Sequence, residues 1–186
     1  MLITIDNPTG MDAHVYNVQK HIYPRLKAAW GISNDADYDC FGRVYRNKKD
    51  NQFIAELYTG NGEYRDVYWD DRKAAISWFG TGNSISFDVK NKIPFHLVFF
   101  VNLKKLKPGV LHRADEQVRN DVQKLFGKSL HGFSYDGMEL WLENVLKEYP
   151  GSRRDKSLTA VDMQPVHCFR LNFTLIYGLN NNCIIN

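Results

Sequence analysis

The segment from Phe95 to Leu103 restricts the possible folds of this chain more than any other. The residues at its odd-numbered positions are all apolar: Phe95, Leu97, Phe99, Val101 and Leu103. This is the period of a β-strand, whose successive side chains point to opposite faces of a sheet. Because Val98 and Phe100 make the other face apolar as well, we predict a central strand that is covered on both sides.

Short strands separated by turn residues are predicted from Tyr38 to Leu106. The runs rich in aromatic and β-branched residues are YDCFGRVYR, QFIAELYT, EYRDVYW, AISWF, SISFDV and PFHLVFFVNL. The segments NKKDN, GNG, DDRK, GTGN and KNKI separate them. Strand residues of this kind joined by such short connections favour antiparallel hairpins arranged as a meander.

A helix is predicted before these strands, between Met11 and Trp30. Its apolar residues recur at three- and four-residue steps and form one stripe: Val15, Val18, Ile22, Leu26 and Ala29. Pro24 falls inside this pattern, lacks a backbone donor and clashes with the preceding turn. We therefore expect a kink or a break near Tyr23.

Two further helices are predicted after the strands. The first has the apolar stripe Ala114, Val118, Val122 and Leu125. The second has the stripe Met138, Trp141, Leu142, Val145 and Tyr149. Asp136 with Glu139 three residues later resembles a capping box, and Pro150 would end this second helix.

The last predicted element is a strand. From Phe169 to Tyr177 the apolar residues alternate with Arg170, Asn172 and Thr174, as in a half-buried strand. The order of elements predicts a single α+β domain, 1–186, with the helices packed on one face of a largely antiparallel sheet. Residues 1–10 and 179–186 are expected to be polar or extended termini.

Composition excludes several classes of protein. Hydrophobic residues make up 44% of the chain and the formal net charge is +3, which indicates a folded core and only a slight basic excess. The cysteines, Cys40, Cys168 and Cys183, are odd in number and lack C-x-x-C spacing, which favours reduced thiols. No export signal is expected in the first residues, and the longest apolar run is far too short to cross a membrane.

Residues that carry chemistry are scattered along the chain. His14 and His21 lie too far apart on one helix to share a metal. Asp70, Asp71 and the acids of segment 35–39 belong to polar turns, where carboxylates usually cap the backbone. No G-x-S-x-G, H-E-x-x-H or kinase-type motif is present. We therefore predict a non-enzymatic protein with no catalytic residue, no cofactor and no metal.

Basic residues are concentrated in two connecting segments. One contains Lys104, Lys105 and Lys107, and the other contains Arg153, Arg154 and Lys156. Both have the charge to contact a nucleic acid, but no aromatic stacking platform lies close to either in the sequence. A small nucleic-acid-binding domain stays open as the alternative function, as does an enzyme whose dispersed site a single sequence does not reveal.

The order of elements resembles that of a bacteriophage tail-completion or tail-terminator protein. An N-terminal helix and these segments carry the resemblance: FGRVYR, FIAELYTGNGEYRDVYW, FHLVFFVNL, ADEQVRNDVQKLF, MELWLENVLKEY and VHCFRLNFTLIYG. It implies a virion structural protein without enzymatic activity, a subunit of a homo-oligomeric ring of six or twelve copies at the phage tail or head–tail junction. A connector ring elsewhere in the virion is a related possibility.

The same resemblance implies a set of partners and a location. The partners would be neighbouring tail-tube, connector or portal-side virion proteins, with DNA at most passing through the ring and no membrane. The protein would be found in the virion, and in the host cytoplasm during assembly.

The aromatic residues of the hairpin region suggest where such a ring would be held together. Between Thr59 and Lys92, the residues Tyr64, Tyr68 and Trp69 stand beside charged residues and tight turns. Large amphipathic side chains on an exposed arm are typical interface anchors. The alternative is that this hairpin folds back and buries its aromatic residues in its own core.

Overall fold

The computed structural model describes residues 1–82, 86–87, 90–110, 112, 114–152 and 165–177. The α+β fold expected from the sequence is confirmed, with an N-terminal helix, two sheets and few other helices. The helices are α1 (Met11–Ala29), α2 (Leu103–Leu106), α3 (Ala114–Phe126) and α4 (Leu142–Val145). Short 3₁₀ turns cover Asp35–Asp37 and Pro150–Ser152.

The strands form one large and one small sheet. The main sheet has the order β1 (Leu2–Ile3), β2 (Tyr38–Arg43), β6 (Ala75–Thr81), β8 (Asn91–Asn102), β11 (Val166–Tyr177), β10 (Phe133–Leu140) and β9 (Ser129–Leu130), and β7 (Ser86–Phe87) also pairs with β8. The small sheet consists of β3 (Tyr45–Lys49), β4 (Gln52–Gly60) and β5 (Glu63–Asp66). The pairs β1–β2 and β2–β6 are parallel and the other described pairs are antiparallel, so the main sheet is mixed.

Strand β8 is the centre of the main sheet and is buried on both faces, as predicted. It pairs with β11 along its whole length, from Asn91–Tyr177 to Asn102–Val166, and with β6 on its other side. Phe95, Leu97, Phe99 and Val101 belong to one hydrophobic cluster, whereas Val98 and Phe100 belong to a second. Each cluster therefore has its own covering layer.

Helices α1 and α3 form the first layer. The stripe of α1 is buried, with Val18, Ile22 and Leu26 fully inaccessible. Of the kink or break expected near Tyr23, the break is wrong, because α1 continues through Pro24. Pro24 is exposed, so the carbonyl that it leaves without a donor can bond to water while the buried stripe holds the helix against the sheet.

The small sheet and α4 form the second layer. Ala55 and Leu57 of β4 and Leu142 and Val145 of α4 join the second cluster. Along the sequence, the whole small sheet comes between the parallel strands β2 and β6, which pair directly with each other. The small sheet therefore makes the connection that a crossover helix makes in a βαβ unit. The predicted single meander is therefore wrong, because part of the β region forms a separate sheet.

The prediction of a second helix after the central strands is also wrong. Residues Phe133–Leu140 form β10, which pairs with β11, and only Leu142–Val145 is helical. The apolar residues there fit two periods, and pairing with the open side of β11 satisfies the backbone. Helix α4 packs on the face opposite α1 and α3. The expectation that all the helices lie on one face is therefore wrong.

The ends of the chain are only partly described. Within 1–10, Leu2 and Ile3 form an edge strand beside Cys40 and Phe41 of β2, so this terminus contributes to the sheet. Residues 179–186 lie outside the described part of the chain.

The final strand allows a direct test of which side chains form the core. Phe173 is buried and lies 4.7 Å from Phe126 between ring centroids, so Phe173→Ala is expected to lower the free energy of unfolding by ~3–5 kcal/mol. Thr174 is on the opposite face and its hydroxyl donates to Asp136 at the exposed surface, so Thr174→Ala should cost less than ~1 kcal/mol. Denaturant titration measures both values, and equal losses would contradict the assigned facing.

Candidate functional site

Three tyrosines form a cluster on the outer face of the small sheet. Tyr58 of β4 lies opposite Tyr64 of β5, and their ring centroids are 5.2 Å apart. Tyr45 of β3 meets Tyr64 edge to face at 5.8 Å. Tyr64 is 49% exposed and Tyr45 is also exposed. We call Tyr45, Tyr58 and Tyr64 the tyrosine face.

Local sequence explains why these tyrosines share one face. The strands are joined by tight turns at Asp50-Asn51 and Asn61-Gly62, whose residues all have positive φ. Asparagine, aspartate and glycine tolerate this conformation, which two-residue hairpins require. The alternation of β4 then buries Ala55 and Leu57 on the core side and directs Tyr58 outward to the tyrosines of the edge strands.

The three interface residues predicted from the sequence do not lie together. Tyr64 belongs to the tyrosine face and Tyr68 is exposed elsewhere, after the small sheet has ended. Trp69 is only 9% exposed, stacks near Phe100 at 6.2 Å and donates its indole N–H to Asp71. The expectation of an exposed Trp69 is wrong, because Val67 and Trp69 alternate inward while Tyr68 points outward.

A groove adjoins the tyrosine face at the N-terminal end of α1. Segment 4–8, α1 and the small sheet enclose a small space of ≈ 30 Å³, and Tyr45 and Tyr58 line it. Arg43 crosses the groove and pairs with both carboxylate oxygens of Asp12, at 2.7 and 2.9 Å. This hydrogen bonding raises the pKa of Arg43 above its usual value. The guanidinium lies 5.2 Å from the ring centre of Tyr45.

Trp141 is a second conspicuous surface residue. It connects β10 to α4 and has φ 72 and ψ 130, a backbone conformation that costs a bulky residue roughly 1–3 kcal/mol. Its side chain is 59% exposed, which makes it the most exposed large hydrophobic residue in the described part of the chain. The sequence placed Trp141 on a buried helical stripe, and the structure corrects this because β10 extends up to Leu140.

A network of charged side chains is buried between β10, β11 and the segment after α4. Arg170 is 5% exposed and its guanidinium lies 2.5 Å from Glu148 and 3.4 Å from Glu139. Asn172 accepts a hydrogen bond from Arg170 and donates one to Glu139. Burial acts to raise the pKa of Glu139, but a hydrogen bond from Lys147 and the charge of Arg170 lower it below its usual value. The alternation of β11 predicted Arg170 on a polar face but not its burial.

His96 and Tyr149 form a buried pair beside this network. The imidazole Nε2 lies 3.2 Å from the tyrosine hydroxyl, above Gly80. A Cβ on Gly80 would stand 2.2 Å from both groups, so only glycine fits there. Burial, with the charges of Arg170 and Lys147, lowers the pKa of His96 to about 3. Both side chains are at most 2% exposed, so this pair is closed to a substrate.

The lysines of the first basic segment are largely engaged by the protein itself. Lys105 donates to the backbone oxygens of Asp71, Arg72 and Lys73. Lys107 pairs with Asp121 at 2.9 Å. Lys104 is exposed, while the second basic segment, with Arg153, Arg154 and Lys156, lies outside the described residues.

Three of the acidic residues expected in turns are likewise paired with neighbouring cations, and one of them, Asp39, lies in β2 rather than in a turn. Asp35 bonds to Lys27, Asp39 to Lys73 at 2.9 Å, and Asp70 to Arg72 at 2.8 Å. Within the described ranges, no three histidine, cysteine or acidic side chains converge as a metal site would require. Among the described helices, none has the length and apolar character needed to span a membrane.

Comparison with known proteins adds no relative. No family model matches the chain, and neither a curated protein nor a solved structure matches it.

The buried His96 predicts a specific dependence of stability on pH. Because the pKa of His96 is about 3 in the folded state and 6.5 ordinarily, the unfolded chain binds a proton between these values that the folded chain does not. Stability should fall with falling pH, by about 1 kcal/mol per pH unit between pH 6.5 and 5, above the range of ordinary carboxylates. His96→Gln, which does not titrate, should remove this slope in denaturant titrations; an unchanged slope would contradict the assignment.

Proposed function

We propose that this protein is a non-enzymatic virion structural protein, a subunit of a homo-oligomeric ring at a phage tail or head–tail junction. The observation that carries the proposal is the tyrosine face, formed by Tyr45, Tyr58 and Tyr64 on an inserted sheet. Tyrosine offers a large rigid surface with a polar end, and it is enriched in protein interfaces. A lone subunit leaves much of this face in water.

The small sheet also has an edge suited to assembly. In the part of the chain that the structure describes, β5 pairs with β4 and ends the sheet at Glu63–Asp66. An edge strand presents backbone donors and acceptors that a strand of another chain can pair with. The end strands of the main sheet, β1 and β9, are only two residues long, but β9 pairs only with Phe133 and Ser134, so the rest of β10 presents a second edge in the described chain.

The placement of the titratable groups also favours a structural role. Two of the strongly shifted side chains, His96 and Tyr149, are sealed against each other by burial. Arg170 is occupied by Glu148 and Glu139. An active site needs such groups at the wall of an accessible cavity, and here they join the main sheet to the segment after α4.

The resemblance supplies the finer parts of the proposal. Tail-tube, connector or portal-side proteins would be the neighbours, DNA would at most pass through the ring, and assembly would take place in the host cytoplasm. Nucleic-acid binding is less well supported, because Lys105 and Lys107 are engaged by backbone oxygens and by Asp121.

The mass of the protein in solution tests the proposal. We expect a discrete oligomer at micromolar concentration in sedimentation experiments and closed rings in negative-stain images. Tyr64→Thr should shift the protein towards monomer with an unfolding midpoint close to that of the wild type, because Tyr64 is an exposed strand residue. Ile176→Thr removes another exposed apolar residue from a strand away from the tyrosine face and should leave the oligomer intact.

Two results would contradict this proposal. One is a wild-type protein that stays monomeric at every concentration and in every micrograph. The other is an equal loss of assembly in Tyr64→Thr and Ile176→Thr, since that would show a general effect of surface substitution.

A further inference from the structure

The outer edge of β10 is only partly covered in the described part of the chain. Strand β9 pairs with Phe133 and Ser134 alone, and the backbone N–H of Tyr135 donates to the oxygen of Lys128 at 3.1 Å. Beyond Tyr135, no described strand lies on this side of β10. The stretch from Asp136 to Leu140 is therefore an open edge with which another strand can pair.

The pairing of β10 with β11 identifies which backbone groups face the open edge. Ile176 of β11 donates its backbone N–H towards β10, and the backbone groups of an antiparallel strand alternate between its two neighbours. Strand β11 is regular, since it pairs with β8 without a register shift. Counting along the ladder from Ile176, Gly137 and Glu139 bond to β11. The N–H groups of Met138 and Leu140 therefore point to the open edge.

The edge also carries apolar side chains that a lone subunit leaves partly exposed. Tyr135, Met138 and Leu140 pack against the border of the first hydrophobic cluster and are only partly buried. Trp141 follows the strand with φ 72, a strained conformation for a bulky residue, and its side chain is 59% exposed. A second strand that pairs with β10 would cover this apolar border.

The residues of the edge favour a second copy of β10 as the strand that covers it. Two antiparallel copies can pair about a two-fold axis at Met138, so that each Met138 lies opposite the other. In this register Glu139 faces Gly137 and Asp136 faces Leu140, so no like charges oppose each other. The neighbouring register that pairs the same N–H groups has its axis at Glu139. It sets Glu139 against its own copy, which is unfavourable.

The charges beside the edge are complementary in the register centred on Met138. Trp141 of one copy lies opposite Tyr135 of the other, whose backbone is bonded to Lys128. Glu143 follows two residues after Trp141, in α4. Lys128 and Glu143 are both exposed, and neither takes part in an ion pair with another described residue. The two-fold pairing brings these opposite charges towards each other on both sides of the axis.

We infer that β10 is a homodimerisation edge, at which two copies pair antiparallel about Met138 and the main sheet continues from one subunit into the next. The inference goes beyond the proposed function, because this contact forms whether or not a ring closes. It is isologous, with the same surface on both subunits. The tyrosine face lies on the small sheet and stays free. A heterologous ring contact there, combined with the two-fold contact, would join two rings with dihedral symmetry.

Charges placed at Met138 test the position of the axis, because this residue meets its own copy. Met138→Lys and Met138→Glu each set two like charges opposite each other, and each should raise the dissociation constant of the dimer at least about tenfold. An equimolar mixture of the two variants should sediment as a dimer again, since lysine then faces glutamate. An effect confined to one subunit would give no such rescue.

Hydrogen exchange of the wild-type protein provides a second measurement that needs no substitution. The amide hydrogens of Met138 and Leu140 should exchange slowly in the dimer and at least about tenfold faster once dilution gives the monomer. The amide of Phe99, inside the central strand β8, is the internal control and should stay protected at every concentration.

The outcomes separate this inference from the proposed function. Dimers that persist in Tyr64→Thr while larger oligomers are lost would support both contacts. Dimers without any larger oligomer support the β10 contact and contradict the ring. Slow exchange at Met138 and Leu140 in a monomer overturns the inference, because the chain then covers this edge itself, and fast exchange in the dimer overturns it as well. Folded Met138→Lys and Met138→Glu chains that do not associate when mixed also overturn it, and the ring proposal then stands or falls by its own test.

Discussion

The burial of β8 on both faces is the constraint on which the rest of the structure depends. A strand with Leu97 and Phe99 on one side and Val98 and Phe100 on the other exposes apolar surface to water unless a layer covers each face. The first layer comes from helices, whose apolar stripes lie flat on a sheet. The second comes from an inserted sheet and a single helical turn. The result is a three-layer domain, although the chain connects its parallel strands β2 and β6 without a crossover helix.

The second layer has buried polar side chains on its inner side and exposed tyrosines on its outer side. On its inner side, burial forces the polar groups to satisfy one another, so Arg170 and His96 are paired with side chains that arrive from distant parts of the chain. On its outer side, Tyr45 of β3 and Tyr64 of β5 are exposed in the part of the chain that the structure describes. A domain arranged in this way uses Arg170 and His96 to satisfy its own core and exposes aromatic rings, and the proposed assembly role rests on that exposure.

Particular residues show how far sequence patterns reach. The alternation around Phe99 and Phe173 predicted the central strands and their facing, because a long period-two pattern is compatible with few other structures. The segment around Met138 was assigned to the wrong element, since its apolar residues fit a helix and a strand equally well and only the free side of β11 decides between them. The predicted burial was wrong for two tryptophans: Trp69, predicted to be exposed, is buried, and Trp141, predicted to be buried, is exposed.

The sequence by itself determined the class of fold, the N-terminal helix and the two-sided core strand, because these follow from local periodicity and from the demand that apolar side chains leave water. Only the tertiary structure decided the division of the β region into two sheets, the burial of Arg170 beside Glu148 and the exposure of Trp141. These features depend on contacts between segments that are distant in the sequence. The packing of α4 brings Glu148 next to Arg170, and no local sequence pattern predicts that contact. Long-range packing selects among the several structures that each short segment could adopt alone.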